Sequence, residues 1–181
     1  VTQYFGAAAL PVLQERYPLE RYGAKGSAAL SAMLTDGLFA CNADSLRRSV
    51  VAQQVPVYGY EFAEAPAGGL IKNDISGVKL GAYHGAEFAS LFFYPFYRLS
   101  PTQQQLAGDM QDYWASFART HQPVPKRAGA ATWPAFSAEN PQLLNLQAKG
   151  SVSSNDFSQR HQCDFWQSQD APASVAGNPN R

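Results

Sequence analysis

The chain is short of the residues on which several chemistries depend. Its 181 residues include two cysteines and three histidines, and only 15% are charged. Basic and acidic residues number 14 each, so the formal net charge is zero. The densest basic runs are the pairs Arg47-Arg48 and Lys126-Arg127, which excludes the electrostatic footprint of a nucleic-acid-binding surface. His84, His121, His161, Cys41 and Cys163 have none of the close spacings of zinc ligands, so no metal site is expected. A phosphate-cradling glycine loop and a dinucleotide fingerprint are both missing, so no cofactor is expected. The Gly-x-Ser-x-Gly nucleophile elbow is missing as well. No apolar run reaches transmembrane length; the greasiest, residues 88–97, is interrupted by Ser90 and Pro95. Neither a signal peptide nor an initiator methionine is present, and from Val1 the sequence reads as though it opens in mid-protein.

Against these absences stands an apolar content of 45%, enough in a chain of this length for one domain with a sizeable core. Residues 7–17 have helical spacing in Leu10, Leu13 and Tyr17, with Pro11 near the start. A longer helical region is expected over residues 27–54, with Leu30, Met33, Leu34, Leu38, Cys41 and Leu46 on one side. Gly37 weakens its middle, which leaves two consecutive helices as the alternative. Asp36 lies among these apolar residues and is either exposed or paired, because an unpaired buried carboxylate is costly. Residues 55–62 alternate and are rich in β-branched and aromatic side chains, which predicts a strand. A Gly/Ala/Pro-rich loop follows through Gly69, then an ill-defined stretch to Leu80. Ser100-Pro101-Thr102-Gln103 has the pattern of a capping box with proline at the first helical position. Leu106, Met110, Trp114 and Phe117 continue that helix, with Tyr113 beside them as core. His121 lies just past its end, where an imidazole suits the negative end of the helix dipole. Trp133-Pro134 falls in a loop, residues 142–147 suit a short edge strand, and a last helix is expected from 155 or 156 to about 169. Residues 171–181 have the composition of a flexible tail.

The stretch Gly81-Ala82-Tyr83-His84-Gly85-Ala86-Glu87-Phe88-Ala89-Ser90-Leu91-Phe92-Phe93 concentrates the chemistry. Glycines open turn geometries closed to other residues. A histidine on such a turn, followed by an apolar run that suits a short helix, is placed like a proton carrier at the rim of a pocket. Taken alone the stretch fits a core or surface histidine with a satisfied hydrogen bond better, because single motifs match by chance. The two cysteines are similarly open: a bridge would close a long loop and add on the order of 4 to 5 kcal/mol in the chain-entropy model, while two buried thiols would act as small hydrophobes. The chain thus offers a candidate base without a recognisable nucleophile.

Several blocks, in order, resemble the C-terminal part of a type-B carboxylesterase, the α/β-hydrolase family that includes the cholinesterases. Leu34-Thr35-Asp36-Gly37-Leu38-Phe39-Ala40-Cys41 resembles its aspartate-to-cysteine helix segment, with Asn42 where a proline is usual. Pro56-Val57-Tyr58-Gly59-Tyr60-Glu61-Phe62 resembles the strand before the histidine loop, and residues 81–92 resemble that loop. Asp112-Tyr113-Trp114-Ala115-Ser116-Phe117-Ala118-Arg119-Thr120 is similar to the Tyr-Trp-x-x-Phe-Ala helix, followed by His121-Gln122-Pro123 in place of Gly-Asp-Pro. Trp133-Pro134-Ala135-Phe136 and His161-Gln162-Cys163-Asp164-Phe165-Trp166 resemble the remaining blocks.

The resemblance implies an α/β fold in which residues 1–170 are the C-terminal segment of one α/β-hydrolase domain. That segment would supply the last sheet strands and covering helices and be incomplete by itself. It implies that His84 is the catalytic base, that Glu87 supports it, and that Cys41 and Cys163 form a disulfide. Tyr83, Phe88, Phe92 and Phe93 become candidates to line an acyl or alcohol pocket, with core packing as the alternative. The serine and the acidic triad member would precede Val1, since the chain order in this fold is Ser, then Asp or Glu, then His. The implied partners are the remainder of the same protein and a small-molecule ester, with a homodimer as an option. A disulfide and the family together suggest a secreted or periplasmic location. Two other readings are a catalytically silent relative that binds partners and a free-standing helical binding domain. Against the latter, the strand at 55–62, the only clear one, needs sheet neighbours that this chain does not supply. The chain alone is accordingly expected to expose a large apolar face and to be unstable or to associate.

Overall fold

The computed structural model describes residues 1–65, 74–75, 78–92 and 98–168. In chain order it runs α1 (Thr2–Phe5), α2 (Leu10–Arg16), a 3-10 turn (Leu19–Tyr22), α3 (Gly26–Leu34), a π-helical turn (Thr35–Ala40) and α4 (Cys41–Val51). There follow β1 (Tyr60–Phe62), β2 (Asp74–Ile75), β3 (Val78–Lys79), α5 (Phe88–Leu91) and α6 (Pro101–Thr120). The chain then continues through β4 (Leu143–Leu146), β5 (Val152–Ser154), α7 (Phe157–Arg160) and α8 (Cys163–Ser168). The result is mixed: mostly helix, with a small sheet. It divides into two compact units, residues 50–155 and the remainder.

In the first unit the region expected to be helical over 27–54 is α3 and α4 joined through the π-helical turn, which contains Gly37. The glycine has a packing reason. A Cβ on Gly37 would stand 2.7 to 3.0 Å from three atoms of the Trp166 ring, so the indole seats on bare backbone. Leu13, Tyr17, Ala29 and Met33 are buried together, with Phe5, Tyr22, Phe165 and Trp166 packed against them. The expected single C-terminal helix is corrected to two short ones, α7 and α8, separated at His161-Gln162. Gln162 adopts a left-handed conformation (φ 54°), which stops helical propagation and turns the chain. Cys163, just beyond the turn, forms a disulfide with Cys41, the Cα atoms 5.0 Å apart across 122 residues of sequence. Asp44 is buried and is paired with both Arg47 and Arg48.

The second unit is organised on α6. Ser100 Oγ accepts from the Gln103 N–H at 3.3 Å and the Gln103 side-chain oxygen accepts from the Ser100 N–H at 3.1 Å, closing the capping box. The far end stops at His121, left-handed (φ 60°), whose N–H donates to the Phe117 carbonyl. Leu106, Met110 and Tyr113 of α6 pack with Trp133 and with Leu144 and Leu146 of β4.

The strand expected over 55–62 is shorter, β1 alone, with Val57 making an isolated bridge to Phe136. Its supposed lack of neighbours is corrected: β1 pairs in parallel with β4, and β4 pairs antiparallel with β5. That order, β1-β4-β5, also corrects the edge position expected for 142–147. β4 lies between two strands, and its leucines at 143, 144 and 146 are 2% exposed or less. The stretch to Leu80 includes β2 and β3, an antiparallel pair. The Gly/Ala/Pro loop from 66 on, Phe93 and the tail at 171–181 lie outside the described residues.

Burial raises the Tyr113 hydroxyl to about 12, with a further push from the Asp109 carboxylate. The hydroxyl donates to the Ala131 carbonyl. An unfolded tyrosine ionises near pH 10, so between about pH 10 and 12 the unfolded chain releases a proton that the native one keeps. Stability present below pH 10 is therefore expected to fall as pH rises through this window, by on the order of 2 kcal/mol from Tyr113 alone. Denaturant midpoints measured from pH 9 to about 12, beside phenolate absorbance, check this. Tyr113→Phe should flatten the fall.

Candidate active site

His84 stands on the turn between β3 and α5, in the second unit. Gly81 (φ 60°) and Gly85 (φ 84°) are both left-handed, a region that side chains with a Cβ rarely enter. The turn closes with the Ala86 N–H donating to the Tyr83 carbonyl at 2.9 Å and the Phe88 N–H to the Gly85 carbonyl at 3.2 Å. Helix α5 begins one residue after Glu87. Its Ala89 and Ser90 are buried, as is Ala86 before it. The α5 helix packs on α6, where Gln111 donates its side-chain N–H to the Ser90 carbonyl at 3.2 Å. The small, buried residues thus fix the turn to the unit's main helix, and His84 on that turn is exposed.

Around it the aromatic residues divide. Phe88 and Phe92 are 49% and 58% exposed and meet edge to face, ring centroids 6.0 Å apart, so neither is core. Tyr83 and Glu87 are half-buried. Glu87 bears electrostatically on Tyr60 of β1, whose hydroxyl is raised above its ordinary value first by burial and then by the Glu87 charge. Tyr60 in turn meets Trp114 and Trp133 edge to face at 5.1 and 5.7 Å. An exposed imidazole with a carboxylate one turn on and two surface phenyl rings nearby can carry protons beside an apolar group. Among the described residues, no group of three or more His, Cys, Asp and Glu could hold a metal ion. A separate cleft in this unit, about 350 Å³, lies between α6 and the turn after β4; the Arg127–Asp109 ion pair lines it and His84 does not.

His121, at the end of α6, has its ring 6.4 Å from Phe117. His161 belongs to the other unit and to a polar network that sequence reasoning did not assemble. Its Nδ1 lies 2.6 Å from Asp36 Oδ1, while Asp36 Oδ2 accepts from the Tyr17 hydroxyl at 2.8 Å. Asp36 is thus buried and paired. The available signal was position alone: Asp36 precedes Cys41 by one helical turn and a residue, and His161 precedes Cys163 by two residues.

Comparison with known proteins supplies what geometry does not. The profile of the carboxylesterase family matches residues 6–166. Human cocaine esterase is 33% identical over 140 residues, covering 74% of this chain and 23% of that protein. Acetylcholinesterase of Bungarus fasciatus is 29% identical over 90 residues, covering 48% of this chain and 15% of that protein. Carboxylesterase 4A of Bos taurus is 33% identical over 100 residues, covering 54% and 17%. The chain therefore spans less than a quarter of the length of these relatives. With the family match running from α2 through the His84 turn to α8, the chain belongs to the carboxylesterase family.

Proposed function

We propose that the complete protein hydrolyses carboxylic esters of small molecules by serine acyl transfer, and that this chain supplies the histidine of its triad. One observation carries the reading: the family match runs through the turn that presents His84, an exposed imidazole held between left-handed glycines. The nucleophilic serine and the acid are placed upstream of Val1, in an α/β-hydrolase domain of which residues 1–170 are the C-terminal part. Neutral His84 takes the serine proton as the hydroxyl oxygen attacks the ester carbonyl. The tetrahedral intermediate collapses, and the imidazolium returns that proton to the departing alcohol oxygen. Water then attacks the acyl-enzyme with His84 again as base, and the acid leaves with serine regenerated. The upstream carboxylate orients the imidazole and stabilises its charged form. Glu87 supports the same turn without touching the reacting atoms. Tyr83, Phe88 and Phe92 line the side of the pocket that takes the acyl or alcohol group. The disulfide fits a secreted or periplasmic protein.

A fluorophosphonate probe on the complete protein, read by mass spectrometry, tests this. Labelling of one upstream serine, lost in His84→Ala, is the expected result. A complete protein with no labelled serine would make it a silent relative that uses the fold to bind partners.

A further inference from the structure

Two segments of the first unit, far apart in sequence, are tied twice. The covalent tie is the Cys41–Cys163 disulfide. The second tie is polar and uses neighbours of the same cysteines. His161 Nδ1 meets Asp36 Oδ1 at 2.6 Å, the Tyr17 hydroxyl donates to Asp36 Oδ2 at 2.8 Å, and the Trp166 indole N–H donates to the Tyr17 oxygen at 2.7 Å. Both carboxylate oxygens of Asp36 are thereby engaged, although the residue is only 6% exposed. We propose that this chain of bonds is an independent clasp, which sets Cys163 beside Cys41 without the disulfide and keeps it there.

Three features support an independent clasp. The bonds to a carboxylate are of the charge-assisted kind, short and directional. The chain of bonds holds both ends of the C-terminal segment, His161 before Cys163 through Asp36 and Trp166 after it through the Tyr17 oxygen. The segment is also seated by apolar contact: Trp166 lies on Gly37 and 5.3 Å from the Phe5 ring, and the Arg16 guanidinium lies 4.9 Å from the centre of Phe165. His161 is itself braced by Phe157, ring centroids 4.4 Å apart. These side-chain contacts do not involve sulfur, although the His161 carbonyl lies 3.3 Å from Cys41 Sγ. The inference does not depend on the esterase reading.

Both cysteines are buried, so the bridge is best opened by substitution, Cys41→Ala with Cys163→Ala in the complete protein. Hydrogen exchange of residues 157–168 is the readout. Because losing the bridge lowers global stability, protection of the segment is read relative to that of α3 in the same protein, and in the double-alanine protein this ratio is expected to stay within about threefold of the parent's. Adding His161→Ala should raise exchange in that segment by about tenfold or more, the scale of one hydrogen bond to a charged group. His161→Ala with the disulfide intact should leave the segment protected. His161→Asn, whose amide N–H can take the place of Nδ1–H, should restore most of the protection in the open form. If opening the bridge alone releases the segment, or His161→Ala changes nothing once it is open, the clasp is refuted. Should His161→Ala fail to fold with the bridge open, Asp36→Asn in the same background is read by the same criterion.

Discussion

In the complete protein, His84→Ala is expected to lower kcat for ester hydrolysis by about 10²- to 10⁴-fold while leaving the fold in place. The size follows from the proposed role: a positioned base that removes the nucleophile's proton in the transition state contributes about that factor, or about 3 to 5 kcal/mol of barrier at 1.36 kcal/mol per decade. The selectivity follows from the location. The turn is held by backbone bonds from Ala86 and Phe88 and by the buried alanines under it, and His84 is exposed. Removing an exposed side chain outside the core usually shifts stability by no more than about 0.5 kcal/mol, so the melting temperature should hardly move. Glu87→Gln should cost much less in kcat, because the role proposed for it is on the turn and not on the reacting atoms. His121→Ala, at the end of α6, should leave kcat alone. Steady-state kinetics with a small chromogenic ester, alongside melting curves, separates these outcomes. An unchanged kcat in His84→Ala would remove the histidine from the mechanism.

What could be read before the structure was local, and what could not was long-range. The start of α6 was legible because Ser100, Pro101 and Gln103 act on backbone groups within one turn. Its core face was legible only in part: Leu106, Met110 and the adjacent Tyr113 are buried, whereas Phe117, at the end of the same stripe, is 44% exposed. Residues 142–147 were legible as a strand but not as a middle one, since that depends on β1, more than eighty residues away, and on β5. The break between α7 and α8 has no glycine or proline to announce it; Gln162 takes the left-handed conformation where the chain turns to the disulfide. Asp36 could be recognised as needing a partner, but its partners lie 19 and 125 residues away, at Tyr17 and His161. His84 is a different case. Its turn is local and was legible, whereas its proposed role depends on groups placed outside the chain.

Trp133→Ala is expected to be among the most destabilising single changes in the second unit, by about 3 to 5 kcal/mol. The indole is 8% exposed and its ring touches three others, Tyr60, Tyr113 and Trp114, with centroids 5.7, 5.4 and 5.2 Å away. Truncation leaves a cavity between α6 and the sheet that those rings, each held elsewhere, cannot close. The indole N–H also donates to the Gly59 carbonyl at 2.9 Å. That bond is the smaller loss, because the same carbonyl accepts from the Leu144 N–H at 3.0 Å and is not orphaned. Trp133→Phe should therefore cost only about 1 to 2 kcal/mol, keeping most of the ring and losing one neutral bond. In the complete protein a difference of this size should be clearly resolved by denaturant or thermal unfolding. Equal losses would mean that the hydrogen bond, not the ring, holds β1 to the core. The expected inequality puts the weight on packing, and with it the position of Tyr60, the β1 residue that senses the charge of Glu87 on the histidine turn.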